Sequence, residues 1–176
     1  MRYHMEALDN ILNRTSIRKY TDQQISEEDL HQILEAGMAG PSCVNSRDWS
    51  FLVIRNKETL AKMAEANGRP AEPLKGAALG ILVCGDLNRS FKGAPEYWTI
   101  DCSIAIQNMI LTAHALGIGS VWLGTWPQMD RVKKQQELFG LPEEIVPHSI
   151  IAFGYPAEKK ERTGFYEEDR VHFEKW

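Results

Sequence analysis

Cysteine is scarce in this chain: only Cys43, Cys84 and Cys102 occur, far apart and without a C-x-x-C or any metal-ligand spacing. An odd count, with no apolar stretch behind the charged opening MRYHMEALDN, points to reduced thiols in a cytoplasmic protein. No metal site is expected. Long apolar runs are also missing, since stretches such as LGILVC (79–84) are far too short to span a bilayer. There is no surplus of positive charge either. Twenty Lys and Arg against 24 Asp and Glu leave a formal charge of −4, which argues against general nucleic-acid binding. A small basic pocket for one phosphate remains compatible with that balance. Repeats, low-complexity segments and linkers are absent, so residues 1–176 are read as one domain.

Two catalytic signatures are missing as well. G-x-S-x-G does not occur, and neither does a Walker sequence. The nearest approach to a dinucleotide fingerprint is LGIGSVWLG (116–124). It has the wrong spacing and runs from a helix into a strand, the reverse of what that fingerprint needs.

What is present alternates between helical and buried-strand patterns. MEALDNILN (5–13) has apolar residues at helical spacing and leads into a polar loop, RTSIRKYTDQQ (14–24). SEED (26–29) is a capping-box pattern, with Ser26 placed to accept a backbone N–H and Asp29 near the positive helix end. The following helix turns Leu30, Ile33 and Leu34 inward. Strands are predicted at 49–55, 78–86, 118–124 and 148–156, and helices at 57–68, 97–117 and 129–139. The helix 97–117 is apolar on nearly all sides, which implies enclosure by other elements or by a partner chain. The tail 157–176 mixes charges with Tyr166, Phe173 and Trp176, as a terminal arm docking on a surface would. The alternation gives a layered α+β or α/β domain.

Three constellations bear on chemistry. GPSCVNSRDW (40–49) sets Ser42 beside Cys43, yet a nucleophile needs a base, and none of the five histidines stands in a recognisable signature with it. His114, on the long helix, reads as a satisfied core residue. In RTSIRKY (14–20), Arg14, Ser16 and Arg18 alternate, so an extended segment would point them to one side as a receptor for a phosphate dianion. Arg14 serves equally well as a complement to the preceding helix C-terminus. Lys160 and Arg162, in KKER, read either as a second basic pair or as a solvated charge run.

In order along the chain, RTSIRKY, GPSCVNSRDW, DCSIAIQNMILTAHALGIGSVWLG and GYPAEKKER resemble the FMN-dependent nitroreductase family in its short single-domain form. The resemblance covers nearly the whole chain. It implies an α+β nitroreductase-like fold, a central mixed sheet flanked by helices, and an interlocked homodimer with 157–176 as a C-terminal arm. It further implies non-covalent FMN, with NAD(P)H as electron donor and a small electron-poor acceptor of nitroaromatic or quinone type, reduced by a ping-pong mechanism. Arg14, Thr15, Ser16 and Arg18 would grip the phosphate and one flavin edge, with Lys160 and Arg162 completing the phosphate site. Pro41, Ser42, Cys43 and Asn45 would line the ring from the partner subunit. Trp122, Leu123 and Gly124 would lie along it, with a backbone N–H near its reactive nitrogen. No catalytic side chain is expected, because the cofactor carries the hard step. The chain departs from the family at Arg47-Asp48, where Gln-Pro is usual, and Arg47 is expected near the pocket mouth. The fold also hosts reductive dehalogenation and dehydrogenation, and a flavin-binding module without turnover is a further alternative.

Overall fold

Residues 6–162, 164 and 166–176 are described by a computed structural model. His4, Met5 and positions 163 and 165 of the tail lie outside the described residues. The first element, α1, is Ala7–Asn13. Ser26 caps α2 (Glu27–Met38) as its sequence requires, its Oγ accepting the Asp29 N–H at 3.0 Å. Asn56 does the same for α3 (Lys57–Asn67), which ends at Gly68 with φ +83°. The long apolar helix is α4 (Tyr97–Ala115), closed by Gly117 at φ +76°, and α5 is Met129–Phe139. Glycine suits both closures because a left-handed backbone costs it little.

Four strands form the sheet: β1 (Trp49–Ile54), β2 (Leu79–Asp86), β3 (Gly119–Gly124) and β4 (Ile145–Gly154). Their order is β1-β2-β4-β3, and every neighbouring pair is antiparallel. The four-stranded sheet is thus antiparallel rather than mixed, and a single isolated parallel bridge, Ser16 to Ser120, lies on the outer side of β3. The α+β class therefore stands. Strands β2 and β4 are covered on both faces, which explains their continuous apolar sequence. Ile81, Val83, Ile151 and Phe153 face α4 and α2, whereas Leu82, Cys84, Ile150 and Ala152 pack with Leu60 and Met63 of α3.

β4 begins three residues earlier than its pattern suggested and ends two earlier. Pro147, which has no N–H for a ladder, sits where the pairing with β2 slips: Val83 faces Ser149 and Cys84 faces Pro147. His148 is thus the extra residue of a bulge, the kind of place where a sheet tolerates proline. No helix among the described residues is long and apolar enough to cross a membrane.

The segment after α1 is clamped on β3. Ile17 N–H donates to Ser120 O at 2.9 Å, and a Cβ at Gly119 would meet Ile17 Cβ at 2.8 Å. Gly119→Ala should force the 14–18 segment away from β3 and cost about 1–3 kcal/mol. Urea unfolding of the variant checks this, and an unchanged midpoint would mean that the contact yields freely.

Candidate functional site

A cavity of about 420 Å³ opens where the two ends of the chain meet at the start of β3. Asn13, Arg14, Thr15 and Ile17 form one wall, His114 and Gly117–Ser120 the floor, and Pro156 with Glu158, Lys159 and Lys160 the other wall. Three cations thus face one carboxylate. Glu158 is already engaged: it accepts the Arg18 N–H at 2.6 Å and the Lys19 N–H at 3.3 Å, and pairs with Lys160 at 3.3 Å. The Arg18 N–H above all holds its carboxyl below the usual range. Lys160 Nζ also donates to Ser16 O at 3.1 Å, which fixes the ammonium over the 14–18 segment. The remaining positive charge suits a phosphate-sized anion.

His114 corrects the expectation of a satisfied core histidine. It is only half-buried, it lines the cavity, and its buried Nε2 has no hydrogen-bond partner among the described residues. Burial, with Arg14 adding to it, pushes its pKa down. Of the residues expected to hold a phosphate, Arg14, Thr15 and Lys160 line this cavity. Ser16, Arg18 and Arg162 do not line it: Ser16 gives its carbonyl to Lys160, Arg18 gives its backbone N–H to Glu158, and Arg162 turns to Gly164 O at 2.7 Å.

Pro41, Ser42, Cys43 and Asn45 stand elsewhere, in a tight turn before β1 that does not line the cavity. Ser42 Oγ accepts the Arg47 N–H at 3.0 Å, and Arg47 Nε donates to Asn45 Oδ1 at 3.2 Å. Hydrogen bonds tie this turn to Asp101 of α4 rather than to a histidine. Burial pushes the thiols of Cys84 (to about 12) and Cys102 far above neutrality, so neither is a thiolate nucleophile. Arg47 lines a second concavity with Leu34, Met38, Trp49, Phe51 and Arg89, against edge strand β1.

Trp122, Leu123 and Gly124 form the end of β3. Leu123 is buried on the α3 side, whereas Trp122 and Gly124 are exposed. The indole of Trp122 is held by a chain of polar contacts. Its Nε1–H donates to Ser149 Oγ at 2.7 Å, and that oxygen lies 3.0 Å from His148 Nδ1. On the other side of the ring His148 Nε2 lies 3.4 Å from Ser103 Oγ, and Ser103 donates to Thr99 O at 2.7 Å. Trp98 packs edge-on against both His148 and Trp126. Sequence reasoning missed this cluster. Its signal was Pro147 inside an apolar strand, which flags a bulge that re-aims the next side chain.

Burial pushes the His148 pKa down to about 4, so the ring is neutral at pH 7. A group whose folded-state pKa is depressed loses its stabilising contribution as pH falls, because only the unfolded chain takes up the proton. Stability should therefore decline between about pH 6.5 and pH 4. His148→Gln should flatten part of that slope in urea unfolding followed across pH, and an unaltered slope would place the histidine in a solvated site.

The sequence profile of the nitroreductase family matches residues 11–155. A protein of Methanothermobacter thermautotrophicus, provisionally named an NADH dehydrogenase/NAD(P)H nitroreductase, is 45% identical over 98% of this chain and 88% of its own. A protein of Archaeoglobus fulgidus with the same provisional name is also 45% identical, over 97% of this chain and 99% of its own. Among solved structures, an FMN-dependent nitroreductase from Clostridium difficile superposes with a TM-score of 0.89 at 30% identity, covering 96% of this chain and 99% of that one. Sequence and fold agree over nearly the full length, and the chain belongs to the nitroreductase family.

Proposed function

We propose that this protein is a homodimeric, NAD(P)H-dependent FMN oxidoreductase that reduces an electron-poor acceptor of nitroaromatic or quinone type. The observation that carries the reading is the cationic cavity at the start of β3, with Arg14, Lys159 and Lys160 in its lining beside His114. The names of its relatives, which speak of NAD(P)H and FMN, support the choice of donor and cofactor. The residues present fit a flavin mononucleotide phosphate: two charged donors, a hydroxyl at Thr15, and a carboxylate that is already satisfied.

Arg14 and Lys160 hold the phosphate, and Thr15, Ser16, Arg18 and Arg162 complete its surroundings. Glu158 orients Lys160 and ties the two walls together through the Arg18 N–H. Trp122, Leu123 and Gly124 supply a ledge for the ring, with the Trp122 indole fixed from beneath by Ser149 and His148. Pro41, Ser42, Cys43 and Asn45 form the opposing wall from a second copy of the chain. Bound there, FMN would supply hydride chemistry between NAD(P)H and the acceptor, in a ping-pong exchange. The protein contributes position, charge and exclusion of water, so no side-chain nucleophile or base is required.

Exposed apolar side chains support the dimer. Leu8 and Ile11 on α1, Tyr97 and Ile100 on α4, and Phe173 and Trp176 in the tail all lie open on one chain. A second copy that covers α4 and receives the tail would bury them.

Purified protein reconstituted with FMN should retain the flavin, visible in its absorbance, and oxidise NAD(P)H when an acceptor is added. Arg14→Ala and Lys160→Ala should each weaken FMN binding by about 1.5–3 kcal/mol, read from quenching of flavin fluorescence. Cys43→Ser should leave binding and NAD(P)H oxidation largely intact. Unchanged affinity in both cation variants would put the phosphate elsewhere, and loss of turnover in Cys43→Ser with flavin still bound would bring the thiol into the reaction.

A further inference from the structure

Asp101 is the only carboxylate in the nineteen residues of α4, and it is 2% exposed. Its two oxygens accept one backbone N–H, that of Cys43, at 3.1 and 3.0 Å, and Ser46 Oγ lies 3.3 Å from Oδ2. The turn it touches is strained. Val44, Asn45 and Arg47 all have left-handed backbones, at φ +47°, +58° and +49°, and none is glycine. Such conformations cost energy and persist only where the surroundings enforce them.

The back of the turn is pinned to the sheet end. Asp48 O accepts the Asp86 N–H at 2.6 Å, and the Asp48 carboxylate accepts Ser90 Oγ at 3.0 Å. The front is pinned to α4 by Asp101. Asp48 is fully buried, and its second oxygen, Oδ1, has no hydrogen-bond partner among the described residues. Burial pushes the Asp101 carboxyl above the usual range, the Cys43 N–H pulls it back, and the Asp48 carboxylate adds to the rise.

We propose that Asp101 is a positioning residue for the site: from the buried face of α4 it latches the Cys43–Asn45 turn into its left-handed shape and so presents Ser42, Cys43 and Asn45 as a wall. For Ser42, Cys43 and Asn45 to face a flavin, the proposal rests on the function proposed above; for the latch itself, it rests on the hydrogen bonds alone. Asp101 touches no substrate or cofactor. It acts through the turn, at a separation of 58 residues in sequence.

The three cysteines provide the test, because Cys43 sits in the latched turn while Cys84 and Cys102 are buried in the core. The full-length protein is alkylated with iodoacetamide, with and without FMN, and the rate at each cysteine is read by peptide mass spectrometry. Asp101→Ala should raise the Cys43 rate at least about fivefold while Cys84 and Cys102 stay slow, since the loss frees a buried N–H from a charged acceptor. It should also weaken FMN binding about tenfold or more. Asp101→Leu, of similar size and without an acceptor, keeps the test decisive if the alanine variant does not fold. An unchanged Cys43 rate, or equal acceleration at all three cysteines in both variants, overturns the latch. A faster Cys43 with unaltered FMN affinity overturns the turn's place beside the flavin and supports the latch alone. Failure of the wild type to bind FMN defeats the proposed function, and the alkylation rates still decide the latch.

Discussion

Burial of β2 and β4 on both faces is the constraint from which the rest of the molecule follows. A strand with helices above and below is mostly apolar, any polar side chain in it needs a partner, and its polar backbone is satisfied by its two neighbours. β2 and β4 meet this by pairing with each other over eight positions and with one outer strand each. The two outer strands inherit opposite roles. β1 borders a concavity carrying Arg47 and Arg89, and β3 receives the 14–18 segment through the Ser16 bridge. All the groups assigned to the candidate site stand at the margins of this slab, where backbone and charge can meet a ligand without disturbing the core.

The margins are held by few, specific contacts. Tyr20 packs flat on Gly154 and donates to Ile17 O at 2.6 Å, while Ile17 packs on Gly119. Burial raises the Tyr20 phenol far above its ordinary pKa, so the donor persists across the physiological range. Together with Glu158 these contacts make the 14–20 segment part of the sheet edge rather than a loose loop. Positional rigidity of this sort suits chemistry that depends on where a cofactor lies and not on a reacting side chain.

Most elements were legible because their signals are local. Ser26 marks a helix start through its own side-chain preference and the structure uses it as expected, while Asn56, Gly68 and Gly117 bound helices by the same local means. The strands followed from short apolar runs, and β4 shifted only because a bulge absorbs Pro147. The site was less legible, for the opposite reason. Arg14 and Lys160 were visible as residue types, but their meeting over one cavity depends on how remote segments pack. His114 was misjudged because a helical pattern says which face is buried, not that this face ends at a cavity. Asp101 was hidden in an apolar helix, although a lone acid among buried residues is itself a signal that some polar group must come to meet it.

The cavity also has a history written into its connectivity. Its walls come from opposite ends of the chain, and the bond that joins them, Lys160 to Ser16 O, spans 144 residues. During synthesis the sheet can pair through β4 before the second wall has emerged, so the core precedes the charge cluster in time. A chain cut short after β4 would keep its buried slab and have half a receptor. Anion capture at this place therefore reports that both walls have formed, and a bound ligand would stabilise chains that carry the second wall over chains that lack it.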